Sequence, residues 1–458
     1  MKGMGRRNRS GRPGPAAPAQ PGRRPAVLLF LLCLAAYLGN CRTVPLAKGG
    51  DTIPNRLIPF SLLASGSPTL DVFRPDFAAS GVHTWYAYER HGSLVSFYPV
   101  GTSLAALPVY VPVYGFAAIG GRPPSSTLFL LSEPTEKLAA AVLTALAVVA
   151  FYFMARRWMN PRQAVGAAVV FGLGSSMWAT ASQMLWQQTA VAAALTVGLW
   201  LLTWPELPRW ATAAGGGALS LAVAARPTAG LLFAAGLATA LLTPGSPRQK
   251  AHRGAAYLLG ALPLLLIGLG INWYYHGNPG GGYAGLTGFF TTGLFSAERL
   301  QGIAGLLVSP NRGLLVFTPI ALLGLWGLAR QIAPGEPRDP ALVSFGLAAL
   351  ASLLIAGSYP VWWGGWSFGP RYLVDVLPVL GLAAIGVWNR MGPWPRRLAR
   401  GAIVWSVLVQ LNGAFCFPAS GWDGRMQDPA QAAWSWQDFE LWQDFRVWAG
   451  ASHWSTPF

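Results

Sequence analysis

The chain has 458 residues, 53% of them hydrophobic and 11% charged, with a formal net charge of +17 and a mean hydropathy of +0.40. Soluble domains carry about 25% charged residues, so a soluble globular protein is excluded. Apolar runs recur near the length of about 20 residues that a helix needs to cross a bilayer. They lack the period-two alternation of a membrane β-barrel, and the expected fold is an all-α polytopic membrane protein.

In chain order, residues 1–24 form a basic, Pro/Gly-rich arm that reads as disordered and cytoplasmic. The apolar run 25–42 follows as an uncleaved signal anchor. Further spans are expected near 138–155, 164–181, 188–204, 210–225, 228–243, 255–275, 313–330, 341–359, 371–389 and 401–418, about eleven transmembrane helices in all. The run 97–121 is interrupted by Pro99, Pro108 and Pro112. Proline inside a helix costs about 3 kcal/mol, so this run reads as a re-entrant or interfacial pair of short helices.

Charge gives the orientation. The arm and the connections RRWMNPR, WPELPRW, SPRQKAHR, ARQIAPGEPRD and NRMGPWPRRLAR hold 20 of the 33 Lys and Arg but only 3 of the 16 Asp and Glu. The positive-inside rule then makes the N-terminus cytoplasmic and the C-terminus external, in a cell inner (plasma) membrane. The excess charge is a topology signal that also meets anionic lipid, and no nucleic-acid motif accompanies it. The membrane module runs over 25–418, with a first external loop at 43–137, and an amphipathic external tail follows at 419–458. Cys33, Cys41 and Cys416 make no metal signature. Cys41 and Cys416 both fall near the outer face, as free thiols or as a bridge.

Within the first loop, LAKGGDTIPNRLIPFSLL carries Ile53, Leu57 and Phe60 at helical spacing. An interfacial amphipathic helix over 52–64 is expected, with Asp51 as its N-cap candidate. His83 and His91 are too few and too far apart for a zinc site. Gly280, Gly281 and Gly282 lack the pattern of a phosphate loop.

The long first external loop, its opening acid, the later SFYPVGTSL and the following EKLAAAVLTALAVVAFYFMARRW together resemble the GT-C superfamily of membrane glycosyltransferases. The sequence is most similar to bacterial relatives of protein O-mannosyltransferases and lipid A aminoarabinose transferases. ARPTAGLLF, NWYYHGNPGGGY, SPNRGLLVFTP and SFGPRYLVDVLP resemble segments of such proteins, and the likeness covers most of residues 25–420. It implies a GT-C-like fold with juxtamembrane helices in the first loop, and a catalytic base at Asp51. Many relatives carry a second acid between the third and fourth spans, where this chain has ATASQMLWQQTAV, with Gln183, Gln187 and Gln188. Asp71 or Asp76 is the candidate to substitute for it in space, with a solvated loop acid as the other reading of each.

The implied activity is transfer of a sugar from a polyprenyl phosphate to an acceptor hydroxyl on the external face, with inversion. No cofactor is expected, and a divalent metal is left open. A phosphate leaving group needs no general acid, so one base suffices. Its charge calls for guanidinium groups, and Arg371, Arg312 and Arg226 are the candidates in that order. Asp375 stands four residues after Arg371, in position to pair with it on one helix face. Trp362, Trp363, Trp366 and Tyr372 form an outer aromatic cluster, suited either to an interfacial belt or to stacking on sugar. Weak substrate contacts are also assigned to Gln187 and Asp76. The expected partners are a polyprenyl-phosphate-linked sugar, an acceptor of unknown kind and membrane lipid, with no nucleic acid. The alternative class is a transporter or lipid flippase, disfavoured by the scarcity of ionisable residues inside the spans and the lack of an inverted repeat. A catalytically silent scaffold is the third reading.

Overall fold

The computed structural model describes residues 22–40, 50–81, 84–283, 297–336, 338–417 and 422–450. Its first half contains α1 (Arg23–Leu38), α2 (Ile53–Ser65), α3 (Arg74–Ser80), the antiparallel hairpin β1 (Ala87–Arg90) and β2 (Ser93–Ser96), then α4 (Gly101–Ala117), α5 (Ser125–Ala155) and α6 (Pro161–Leu173). The bundle continues with α7 (Gln187–Leu202), α8 (Arg209–Ala225), α9 (Gly230–Leu242), α10 (Pro247–His276) and α11 (Ala297–Val308). It closes with α12 (Leu314–Phe317), α13 (Ala321–Arg330), α14 (Pro340–Gly357), α15 (Leu377–Trp388), α16 (Pro393–Cys416), α17 (Pro429–Ala432) and α18 (Glu440–Trp448).

The chain is all-α apart from the one hairpin among the described residues, and each of the eleven expected spans falls on helix. Among the described residues, five helical segments are long and apolar enough to cross a membrane: Ser125–Ala155, Pro247–His276, Pro340–Gly357, Arg371–Trp388 and Pro393–Cys416. Others are shorter or broken. The span expected over 313–330 divides into α12 and α13 around Thr318 and Pro319, where proline cannot donate to the preceding turn. The span over 164–181 ends α6 at Leu173 and resumes as a π-turn at Met177–Ala181.

Local chemistry starts several helices. Asn160 with Gln163 opens α6, and Ser246 with Gln249 opens α10, each as a reciprocal capping box followed by proline. The Asp339 carboxylate accepts the N–H groups of Ala341 and Leu342 at the start of α14. Packing between helices relies on small residues. A Cβ on Gly216 of α8 would meet the Tyr257 carbonyl oxygen at 2.1 Å, and one on Gly260 of α10 would meet that of Ala213 at 2.0 Å. This lets two backbones close on each other in the manner of membrane helix pairs.

The run 97–121 differs from expectation. It forms one continuous helix, α4, through Pro108 and Pro112 rather than two short ones. The buried face of Thr102, Ser103, Ala106 and Tyr110 packs along α2, α5 and α8, and this tertiary packing overrides the proline penalty. Also, α5 begins at Ser125, well before the expected start at 138, with Pro134 inside it.

The helix ends divide by chemistry. Arg209, Arg248, Lys250, Arg253, Arg396, Arg397 and Arg400 lie in the opening turns of α8, α10 and α16. At or beyond the opposite ends of α8, α10 and α14 stand Arg226, Tyr283 and Tyr359, with Gln187 opening α7 and Arg371 opening the 3-10 helix ahead of α15. Those residues meet in one cavity.

Candidate active site

A cavity of about 610 Å³ is bordered by Asp51, Trp85, Tyr98, Trp186, Gln187, Gln188, Arg226, Tyr283, Tyr359, Trp366, Arg371 and Tyr372. Asp51 is its one lining carboxylate among the described residues. It sits in a single 3-10 turn, Gly50–Thr52, that leads into α2. The Trp85 indole lies against this turn so closely that a Cβ on Gly50 would stand 2.5 Å from it.

The N-cap expectation for Asp51 does not hold. Thr52 occupies the cap position of α2, with no side-chain capping bond to the helix, and the Asp51 carboxylate turns into the cavity instead. Its Oδ1 accepts from the Tyr98 hydroxyl at 3.0 Å, and its Oδ2 lies 2.9 Å from Nη1 of Arg371. The Asp51 side chain keeps 35% of its exposure and that of Arg371 keeps 7%, so the carboxylate is the accessible member of the pair. Burial first, and the facing Asp51 charge second, push the Tyr98 phenol far above its ordinary range. Tyr98 therefore stays a donor to Asp51 at any working pH.

Arg371 is enclosed by aromatic faces. Its guanidinium carbon lies 4.2 Å from the centre of the Trp186 ring and 5.2 Å from that of Tyr372, a cation–π arrangement that holds the fork in place. Its Nε has no hydrogen-bond partner among the described residues, nor does Nε2 of Gln187 on the same wall. Both nitrogens are buried, and what the cavity wall sets side by side is one guanidinium and one carboxylate, charges that suit an oxygen-rich anion and a proton.

Arg226 reaches the cavity from the end of α8 and forms an ion pair with Asp375. The expected pairing of Asp375 with Arg371 is not made. Residues 371–376 form a 3-10 helix, in which three residues make a turn, so positions four apart point in different directions. Asp375 is left facing Arg226.

Other ties fix the rim. Asn55 donates to the Leu185 carbonyl at 2.8 Å, and Glu136 accepts the Leu185 N–H at 3.0 Å. Arg56 bridges Glu133 at 3.1 Å and Glu136 at 3.6 Å. These buried contacts hold the α2 turn that carries Asp51 against the segment that supplies Trp186 and Gln187. Opposite them, the Tyr283 hydroxyl donates to Gln187 Oε1 at 2.6 Å.

Three sequence candidates stand elsewhere. Arg312 was expected on the donor phosphate, yet it is fully buried against the C-terminal tail. It bonds Glu440 at 2.6 Å and lies 4.4 Å from the Trp422 ring centre. Glu440 also accepts the N–H of Gly369 at 3.4 Å, and the Gly369 carbonyl accepts the N–H of Arg371 at 2.9 Å. Arg312 therefore touches the cavity only through the loop that carries Arg371. Trp363 packs edge-on against Trp362 in the bundle core, outside the cavity lining. Asp76 lies on α3, away from the cavity. Cys41, His83 and residues 1–21 lie outside the described residues, and Cys416 has no disulfide partner among those described.

Tyr98, Trp85, Trp186, Tyr283 and Tyr359 join the site without having been singled out from the sequence. Four of them carried a signal: Tyr98, Tyr359 and Tyr283 stand beside proline or glycine in FYP, SYP and GGY, and Trp186 beside glutamine in LWQQ, each at or near the edge of an apolar run, while Trp85 carried none.

No protein-family model matches the sequence, and no curated protein matches it significantly. Among solved structures, the fold is similar to that of ArnT from Cupriavidus metallidurans. The apo form gives a TM-score of 0.47 at 18% identity, covering 82% of this chain and 62% of that one. The form bound to undecaprenyl phosphate gives 0.49 at 16% identity, covering 92% and 76%. The archaeal oligosaccharyltransferase AglB from Archaeoglobus fulgidus, in complex with an inhibitory peptide and a dolichol-phosphate, gives 0.46 at 12% identity, covering 95% and 61%. Both proteins are GT-C superfamily members, and this chain spans less than two thirds of apo ArnT and of AglB.

Proposed function

We propose that the chain is a membrane glycosyltransferase moving a sugar from a polyprenyl phosphate to an acceptor hydroxyl, with Asp51 as general base. The observation that carries this reading is the Asp51–Arg371 pair at 2.9 Å, on the wall of a 610 Å³ cavity. Trp85 and Trp366, 59% and 52% exposed, border the same space and offer flat apolar faces to a sugar ring.

The pair suits the reaction because its two charges are needed at different places at once. The donor phosphate draws the Arg371 donors, and Asp51 receives the proton of the acceptor hydroxyl. The acceptor oxygen then bonds to the anomeric carbon as the bond from that carbon to the phosphate oxygen breaks. The electron pair departs with the polyprenyl phosphate, which needs no proton. Attack opposite the leaving group inverts the anomeric carbon. As Asp51 takes up the proton its charge disappears, and the Arg371 charge falls wholly to the leaving phosphate. Arg226, already balanced by Asp375, adds hydrogen bonds and position more than net charge. By the positive-inside rule, this cavity opens on the external face, opposite the arginine-rich helix ends.

The experiment is an assay of sugar transfer with the purified chain and a panel of polyprenyl-phosphate sugars. Wild type should release polyprenyl phosphate only when an acceptor is present, and Asp51→Asn should abolish release while still binding the lipid phosphate. Lipid translocation that survives Asp51→Asn without any transfer would favour the flippase class instead.

A further inference from the structure

A second cavity occupies the arginine-rich end of the bundle. It is a groove of about 330 Å³ bounded by α6, α13, α15 and α16, with Phe151 of α5 in its wall. Val170, Phe171, Leu380, Ile385 and Ile403 make most of that wall apolar, with Gln163, Ser175 and Thr318 as its uncharged polar members. Along α15 it extends from Trp388 to Leu377, about 17 Å at 1.5 Å per residue. Half of a hydrocarbon core of about 30 Å is close to that length, so the groove is one leaflet deep.

Its one charged lining residue is Arg400, in the second turn of α16. Arg400 is exposed and makes no hydrogen bond or ion pair with any described residue. Three nearby basic groups are engaged: Arg390 and Arg330 both bond Glu336, and Arg396 donates to the Asn389 carbonyl at 3.3 Å, while Arg162 and Arg397 are exposed and do not line the groove. Lipid tails are as apolar as this wall, so a groove facing the bilayer gains little from the hydrophobic effect when a tail enters. Selection of one lipid must come from its headgroup, and the groove supplies a single unneutralised guanidinium for that purpose.

We propose that this groove holds one glycerophospholipid of the leaflet on the arginine-rich side, with an anionic headgroup on Arg400 and an acyl chain along α15. This is a site separate from the sugar-transfer cavity and independent of Asp51. The structure supplies a second handle on it. Gly166 lines the groove, and a Cβ built there meets nothing within 4 Å. A larger residue at 166 would project into the space the chain is to occupy without displacing any protein atom.

The test uses the full chain in detergent, titrated with phosphatidylglycerol or phosphatidylcholine, with bound lipids counted by native mass spectrometry and thermal melting recorded in parallel. Wild type should retain one phosphatidylglycerol under conditions that strip phosphatidylcholine, and its melting point should rise with that lipid alone. Arg400→Gln should bind phosphatidylglycerol about tenfold more weakly, as expected for loss of one charge-assisted contact. Gly166→Leu should melt higher than wild type without lipid, because leucine favours helix over glycine, and should lose the lipid-dependent rise. Equal retention of the two lipids, undiminished phosphatidylglycerol binding in both variants, or a second copy of the chain covering the groove would each overturn the proposal.

Discussion

Asp51 and Arg371, contributed by opposite halves of the chain, meet at 2.9 Å with the carboxylate half-buried and the guanidinium buried. Removing the carboxylate therefore leaves a buried guanidinium uncompensated. The two residues also differ in role: one faces the reacting hydroxyl, the other the phosphate.

Arg371→Lys keeps the charge but loses the planar fork that lies over Trp186. The donor KM should rise about tenfold, and the affinity for sugar-free polyprenyl phosphate should fall by a similar factor, consistent with a cation–π and hydrogen-bond loss of about 1–2 kcal/mol. Steady-state kinetics with equilibrium binding of the lipid phosphate checks both.

Tyr98→Phe removes the donor to Asp51 Oδ1 and little else. One of the two contacts that orient the carboxylate disappears while Arg371 remains. Turnover should drop about tenfold, the equivalent of one hydrogen bond, with the donor KM nearly unchanged. A rise in KM instead would assign Tyr98 to the substrate rather than to Asp51.

Trp366→Ala takes away an exposed aromatic face at the cavity mouth. If that face meets the sugar, the KM of the sugar-bearing donor rises about five- to tenfold, while sugar-free polyprenyl phosphate binds as before. Comparing the two ligands by isothermal titration separates stacking on sugar from anchoring in the membrane interface.

The C-terminal tail should loosen as pH rises. Burial raises both Glu440 and Asp444 above the ordinary carboxylate range, against the opposing pull of Arg312 and Arg425. Folded tail therefore binds more protons than detached tail in the interval above that range, and its attachment weakens as those protons leave. Once the intrinsic rise of amide exchange with pH is divided out, protection over residues 422–450 should be greater at about pH 5 than at about pH 8. The change should carry into the Gly369–Arg371 loop, because Glu440 bonds the Gly369 N–H.

Much of the fold was legible because a membrane span needs only apolar length and punctuated ends. Asp51 was singled out through the resemblance, as the acid opening the first external loop, whereas its position ahead of an amphipathic helix suggested a cap that it does not make; Arg371 was singled out through its place between aromatic residues and an apolar run. What escaped was the pairing. Arg226 finds Asp375 and Arg312 finds Glu440 across 149 and 128 residues, and no local spacing encodes such partners. The 3-10 geometry of 371–376 also defeated a rule written for α-helices. Tyr98 and Tyr283 were passed over because an aromatic in a loop is ordinary until the loops that surround it are assembled.

The most direct measurement is single-turnover sugar transfer by Asp51→Asn, run beside its binding of polyprenyl phosphate. We expect turnover to fall about a thousandfold, within the usual range for loss of a general base, with the lipid phosphate bound at least as tightly because Arg371 no longer faces an anion. Transfer within a few-fold of wild type would contradict the assignment of Asp51. So would loss of lipid-phosphate binding in a variant that keeps its fold.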